Sequence, residues 1–132
     1  MICHGSPYDE DEYVFTDHHA AQVMALFETP VILYGHTHLP VIFGMDEHRN
    51  VWGEAIHQDA KFHLEPGVRY LINPGSVGQP RDRNPRASFA LYDDEKRVVQ
   101  FFRVAYDVRK TQRAILKAGL PPILAHRLAV GA

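Results

Sequence analysis

Val31-Ile32-Leu33-Tyr34 is a continuous apolar run closed in by Pro30 and Gly35, and it constrains this chain more than any other segment. A strand with one face in water alternates apolar with polar residues, whereas an unbroken run suits a strand buried on both faces, as in a parallel sheet. Parallel neighbours need a crossover connection, usually a helix. Just upstream, Ala20, Val23, Met24 and Phe27 recur at the i, i+3, i+4, i+7 spacing of an amphipathic helix over 17–28. Thr16 or Asp17 can cap its start, and Pro30 ends it by forcing Thr29 out of the helical region. Residues 1–3 read as the end of the preceding strand, broken off at His4-Gly5-Ser6-Pro7. The order is strand, helix, strand, with a histidine-bearing loop after each strand.

Beyond Pro40 the pattern turns antiparallel. Segments 41–45 and 51–54 read as strands joined by a polar turn, and 68–72 as another that runs into Asn73-Pro74-Gly75-Ser76-Val77-Gly78. Segments 87–92 and 98–104 form a hairpin, and 107–118 a helix stopped by Gly119. Pro121-Pro122 opens a last short helix over Ile123, Leu124 and Leu128. No repeat or linker interrupts the 132 residues, so they read as one α/β domain with antiparallel pairing in its second half. A formal net charge of −2 argues against a general nucleic-acid binder. No apolar run approaches the roughly 20 residues that span a bilayer. The single cysteine, Cys3, excludes an internal disulfide and suits a reducing, cytoplasmic setting.

Nine histidines are many for this length. Gly35-His36-Thr37-His38 stands where open α/β sheets gather ligands, beyond the carboxyl end of a strand. On a turn after Gly35 both imidazoles can converge on one ion or on two neighbouring ones. Neutral imidazole suits divalent ions such as Zn, Fe, Mn or Ni when a second group orients the other ring nitrogen. In a parallel pair His4 comes to the same sheet edge, and three imidazoles there are hard to explain as packing. The plainer alternative for His4 is a frayed terminal residue. His18, His19, His48, His57, His63 and His126 fall in a helix start, turns, polar strand positions and the last helix, where surface or structural roles are expected.

Arg81, Arg83 and Arg86 either grip a phosphate or belong to a solvated loop balanced by Asp82, with Arg81 the best placed. Asn73 and Ser76 line the rim of the site or simply shape their turn. Ser76 lacks the nucleophile-elbow pattern, because Pro74 stands where the first glycine should be. A Cys3–His4 dyad is disfavoured because neighbours on a strand face opposite ways.

Taken in order, His4-Gly5-Ser6-Pro7, Gly35-His36-Thr37-His38-Leu39-Pro40 and Asn73-Pro74-Gly75-Ser76-Val77-Gly78-Gln79-Pro80-Arg81 resemble the calcineurin-like metallophosphoesterases. Within them the chain looks most like the small bacterial phosphoesterases and the diadenosine tetraphosphatase relatives. The resemblance implies a four-layer α/β/β/α sandwich, of which this chain is the C-terminal half, with a mixed or antiparallel sheet. It implies His4 and His36 as ligands of one metal, His38 as a ligand of the other, and Asn73, Ser76 and Arg81 near the substrate. In such sites two divalent ions activate water for in-line attack on a phosphomonoester or phosphodiester, nucleotide-like small molecules included. The family's other segments, an Asp-x-His, a Gly-Asp whose aspartate bridges the metals and a Gly-Asn-His, have no counterpart here. Asp17-His18-His19 and Asp46-Glu47-His48 match Asp-x-His only in letters, since both follow His4. Residues 1–132 are therefore expected to be a partial domain, inactive alone and catalytic in the intact protein. The alternative is a non-catalytic scaffold or partner module with an incomplete metal site, and the sequence leaves a homo-oligomer open.

Overall fold

The computed structural model describes all residues, 1–132. In chain order the elements are α1 (Asp17–Leu26), β1 (Val31–Leu33), β2 (Pro40–Met45), β3 (Val51–Ala55), β4 (Ala60–His63), β5 (Arg69–Pro74), β6 (Ala87–Asp93), β7 (Val98–Val104), α2 (Val108–Lys117), α3 (Pro122–His126) and a closing 3-10 turn, Arg127–Ala129.

The apolar run becomes β1, and it is flanked on both sides as its composition requires. On one side it pairs in parallel with β5, Ile32 opposite Leu71. On the other, Ile2 bridges Leu33 in parallel, with the Cys3 N–H donating to the Leu33 carbonyl at 3.0 Å and the Leu33 N–H to the Met1 carbonyl at 2.9 Å. The sheet continues in the order β1-β5-β2-β3, its last pairings antiparallel.

The crossover is α1. Thr16 caps it, its hydroxyl accepting from the His19 N–H at 3.2 Å. Ala20, Val23 and Met24 are buried against Ile32, Tyr34, Phe43 and Leu71 on one face of the sheet. Fully buried side chains of this kind stabilise a fold by about 1.5–3 kcal/mol each. The helix ends at Leu26, short of the expected residue 28, because Phe27 is already extended at φ −125°. Arg69 of β5 explains the early stop: its Nη1 donates to the Met24 carbonyl at 2.6 Å and the Phe27 carbonyl at 3.4 Å. A cation on the last carbonyls opposes the negative end of the helix dipole.

The opposite face of this sheet packs on a second one, ordered β4-β7-β6 and antiparallel throughout. Ile42, Tyr70 and Ile72 from the first meet Val99 and Phe101 from the second in a separate core cluster. Helix, mixed sheet and antiparallel sheet thus stack in layers, as expected for half of the four-layer sandwich. Asp107 caps α2 and Gly119, at φ 72°, ends its turn; α2 then packs against α3 and the closing turn. No helix is long and apolar enough to cross a membrane.

Candidate functional site

The parallel bridge of Ile2 with Leu33 at the end of β1 brings the loops that follow them together. The Gly35 N–H donates to the His4 carbonyl at 2.7 Å. Across this backbone bond the two rings meet, with His36 Nδ1 2.9 Å from His4 Nε2 and the ring planes at 72°. Tyr13, from the loop before α1, lies over His36 at 4.0 Å between ring centres. His36 Nε2 is buried and has no hydrogen-bond partner.

His38 stands on the far side of Thr37. Its Nδ1 lies 2.8 Å from the Gln79 carbonyl. A carbonyl can only accept, so Nδ1 carries the proton and the Nε2 lone pair is left available, the arrangement that orients metal-binding histidines. Burial pulls the His38 imidazole below its ordinary range; the Gln79 carbonyl opposes this and the Arg81 charge adds to it.

Asn73 holds the loop in place. It is fully buried, its Nδ2 donates to the Gly35 carbonyl at 2.7 Å and to Thr37 Oγ1 at 2.9 Å, and its Oδ1 accepts from the Gly75 N–H at 2.9 Å. Ser76 Oγ accepts from the Gly78 and Gln79 N–H groups at 3.3 and 2.9 Å. No base touches it, which leaves the serine-nucleophile alternative without support. Cys3 Sγ points to the Gly5 and Leu33 carbonyls, 3.6 and 3.8 Å away, and burial raises its thiol pKa; it forms no dyad with His4. Arg81 is held by its neighbour, Nε and Nη2 reaching Gln79 Oε1 at 3.1 and 2.7 Å.

Asp82 does not balance the arginines beside it. Its carboxylate is paired with Arg103 of β7, whose guanidinium also donates to the Ile56 carbonyl at 3.1 Å. The sequence offered no sign of this pairing, nor of the Tyr13 ring meeting His36 at a tilt. The motif ending at Arg81 did contain Gln79, which touches both His38 and Arg81.

The donors fit part of a divalent metal site. Cis nitrogen ligands on bonds of about 2.0–2.1 Å stand roughly 2.9–3.3 Å apart, the spacing of His4 Nε2 and His36 Nδ1; His36 Nε2, on the other side of that ring, is buried without a partner. His38 adds an oriented imidazole. However, no group of three or more His, Cys, Asp or Glu side chains stands close enough to hold an ion by itself.

A helix on a mixed sheet on an antiparallel sheet, with histidines gathered at the strand ends, is the architecture of half of a metallophosphoesterase domain. Comparison with known proteins agrees. The fold matches the crystal structure of a metallophosphoesterase from Sphaerobacter thermophilus with a TM-score of 0.91 and 39% identity, over 99% of this chain and 55% of that one. A hypothetical protein from Pyrococcus horikoshii, 24% identical, shares the fold at a TM-score of 0.67, over 99% of this chain and 46% of that one. In sequence, an uncharacterized protein of Methanocaldococcus jannaschii is 34% identical over 99% of this chain and 51% of its own length. No family model matches. The likeness to the metallophosphoesterases read from the motifs is thus carried by fold and sequence together, and the chain spans about half the length of these relatives.

Proposed function

We propose that these residues supply the histidine side of a dinuclear site through which the intact protein, in the cytoplasm, hydrolyses phosphomonoesters or phosphodiesters. The observation that carries this is the His4–His36 pair, with His4 Nε2 and His36 Nδ1 2.9 Å apart where their two loops meet. In this reading His4 and His36 hold one ion and His38 the other, through the nitrogen not bonded to Gln79. A divalent ion there supplies Lewis acidity toward a phosphoryl oxygen and toward water. The remaining residues position. Asn73 fixes the loop that carries the imidazoles, Ser76 shapes the turn that brings up Gln79, and Arg81 offers its free N–H groups to the substrate. The carboxylates that would neutralise and bridge the ions come from residues outside this stretch.

The absence of a complete donor group among these residues favours a second reading, a non-catalytic module that binds one ion weakly. The two are separated in the intact protein by metal content and by turnover of a chromogenic phosphodiester. The hydrolase reading expects close to two ions per chain and activity lost on chelation and in His36→Ala. Activity that survives both treatments sinks the metal mechanism, and no turnover at any metal concentration selects the module.

A further inference from the structure

Leu39, the residue after His38, lines a cavity of about 320 Å³, within the range of small-molecule sites. Its floor is apolar, built by Val14, Leu39, Pro40, Val41 and Ile56 with Phe15 at its edge. Arg81 and Arg83 stand in the same wall. The carboxylate between them, Asp82, is committed to Arg103, and neither arginine has an ion-pair partner of its own. Gln79 ties the cavity to the histidines, its carbonyl on His38 and its side chain on Arg81. Holding Nε and one Nη leaves the other N–H groups of that planar fork pre-aimed, the geometry that suits a phosphoryl oxygen pair.

Resting on the phosphoesterase reading above, we infer that this cavity selects the substrate: it takes a phosphate ester whose other part is a flat, apolar or aromatic group. The body enters between Val14, Leu39, Val41 and Ile56, and Arg81 and Arg83 hold the phosphate at the mouth, toward His38. A polyol or sugar body is disfavoured: outside the Arg81–Asp82–Arg83 run only the His57 side chain in the lining can bond a hydroxyl, so most buried hydroxyls would lack partners.

The test uses phenyl phosphate and glycerol phosphate, which share the anion and differ in the body. Amide chemical shifts are followed in the intact protein with metal removed, so that binding does not run through an ion. Phenyl phosphate is expected to move Val41, Ala55 and Arg83 and to bind at least tenfold more tightly than glycerol phosphate. Ala55→Trp, placed to fill the cavity from exposed β3, and Arg83→Gln should each weaken phenyl phosphate by about tenfold, with circular dichroism confirming the fold. Equal affinities, or shifts confined to other residues, overturn the inference. Selective aryl binding without turnover of any ester by the metal-loaded protein would refute hydrolysis and leave the pocket standing. Turnover with no preference for aryl over polyol esters would refute the pocket and leave hydrolysis standing.

Discussion

Arg103 and Asp82 form the one buried ion pair of the fold, and cutting it tests how the cavity wall is held. Their side chains are 2% and 9% exposed. Asp82 meets the guanidinium with both oxygens, Arg103 Nη2 also reaches the Ile56 carbonyl, and the Arg103 N–H donates to Asp59 at 2.7 Å. Asp82→Ala would strand a guanidinium out of water, which costs roughly 3–5 kcal/mol when a buried pair loses one member. At roughly 2–4 °C per kcal/mol for a domain of 150–250 residues, the midpoint of the intact protein should fall by roughly 6–20 °C. Arg103→Met strands the carboxylate instead, but the double variant removes both charges, so its cost should lie well below the sum of the singles. Urea denaturation of all four forms, followed by circular dichroism, gives the coupling directly. Because salt screens buried pairs poorly, the coupling should persist in 1 M NaCl. A cost below about 1 kcal/mol for Asp82→Ala, or additive singles, would show that the pair is solvated and that Asp82 is free to neutralise Arg81 and Arg83.

Asn73→Ala removes the partner of the Gly35 carbonyl, the Thr37 hydroxyl and the Gly75 N–H. It should cost roughly 2–4 kcal/mol and broaden the amide resonances of residues 35–38; sharp, unshifted resonances would contradict the scaffold role given to Asn73. Tyr34 is buried and its hydroxyl donates to the Val14 carbonyl at 3.1 Å, so Tyr34→Phe should cost about 1 kcal/mol at pH 7. Burial pushes the Tyr34 phenol well above its ordinary range. A raised folded-state pKa gives stability that is full below the unfolded value near 10 and lost as pH rises beyond it. Denaturation at pH 8 and 11 should therefore show a smaller alkaline loss for Tyr34→Phe than for the parent, and equal losses would rule the linkage out.

Features fixed by short-range chemistry were legible in the sequence. The Thr16 cap, the spacing of Ala20, Val23 and Met24, and the apolar run before Gly35 predict α1, β1 and the parallel pairing of residues 1–3 with β1, and with these the meeting of His4 and His36. Features fixed by distant partners were not. Ala60-Lys61-Phe62-His63 is short and half polar, and β4 exists because β7 offers it a backbone edge, Ala60 opposite Phe101. Asp82 reads locally as the counter-ion of Arg81 and Arg83, yet the inward face of β7 brings Arg103 against it from 21 positions away. His57 sits in a polar turn that signals nothing, and it lines the cavity.

Backbone strain also points to the imidazoles. His36 and His38 sit in the left-handed region, at φ 63° and 61°. Histidine tolerates that region better than most residues, but glycine would adopt it without strain, and the left-handed form costs other residues roughly 1–2 kcal/mol. Such strain persists only where the surroundings over-determine it. Here the register of β5 against β2, Asn73 opposite Val41, aims the Asn73 amide at Gly35 and Thr37. The Gly35 N–H is fixed on His4. With Thr37 turned inward at 2% exposure, its two neighbours are left to reach His4 on one side and Gln79 on the other. Strained backbone at two positions where glycine would relax it is paid for by what the side chains supply, and the side chain at both is an imidazole with a ring nitrogen left unpaired.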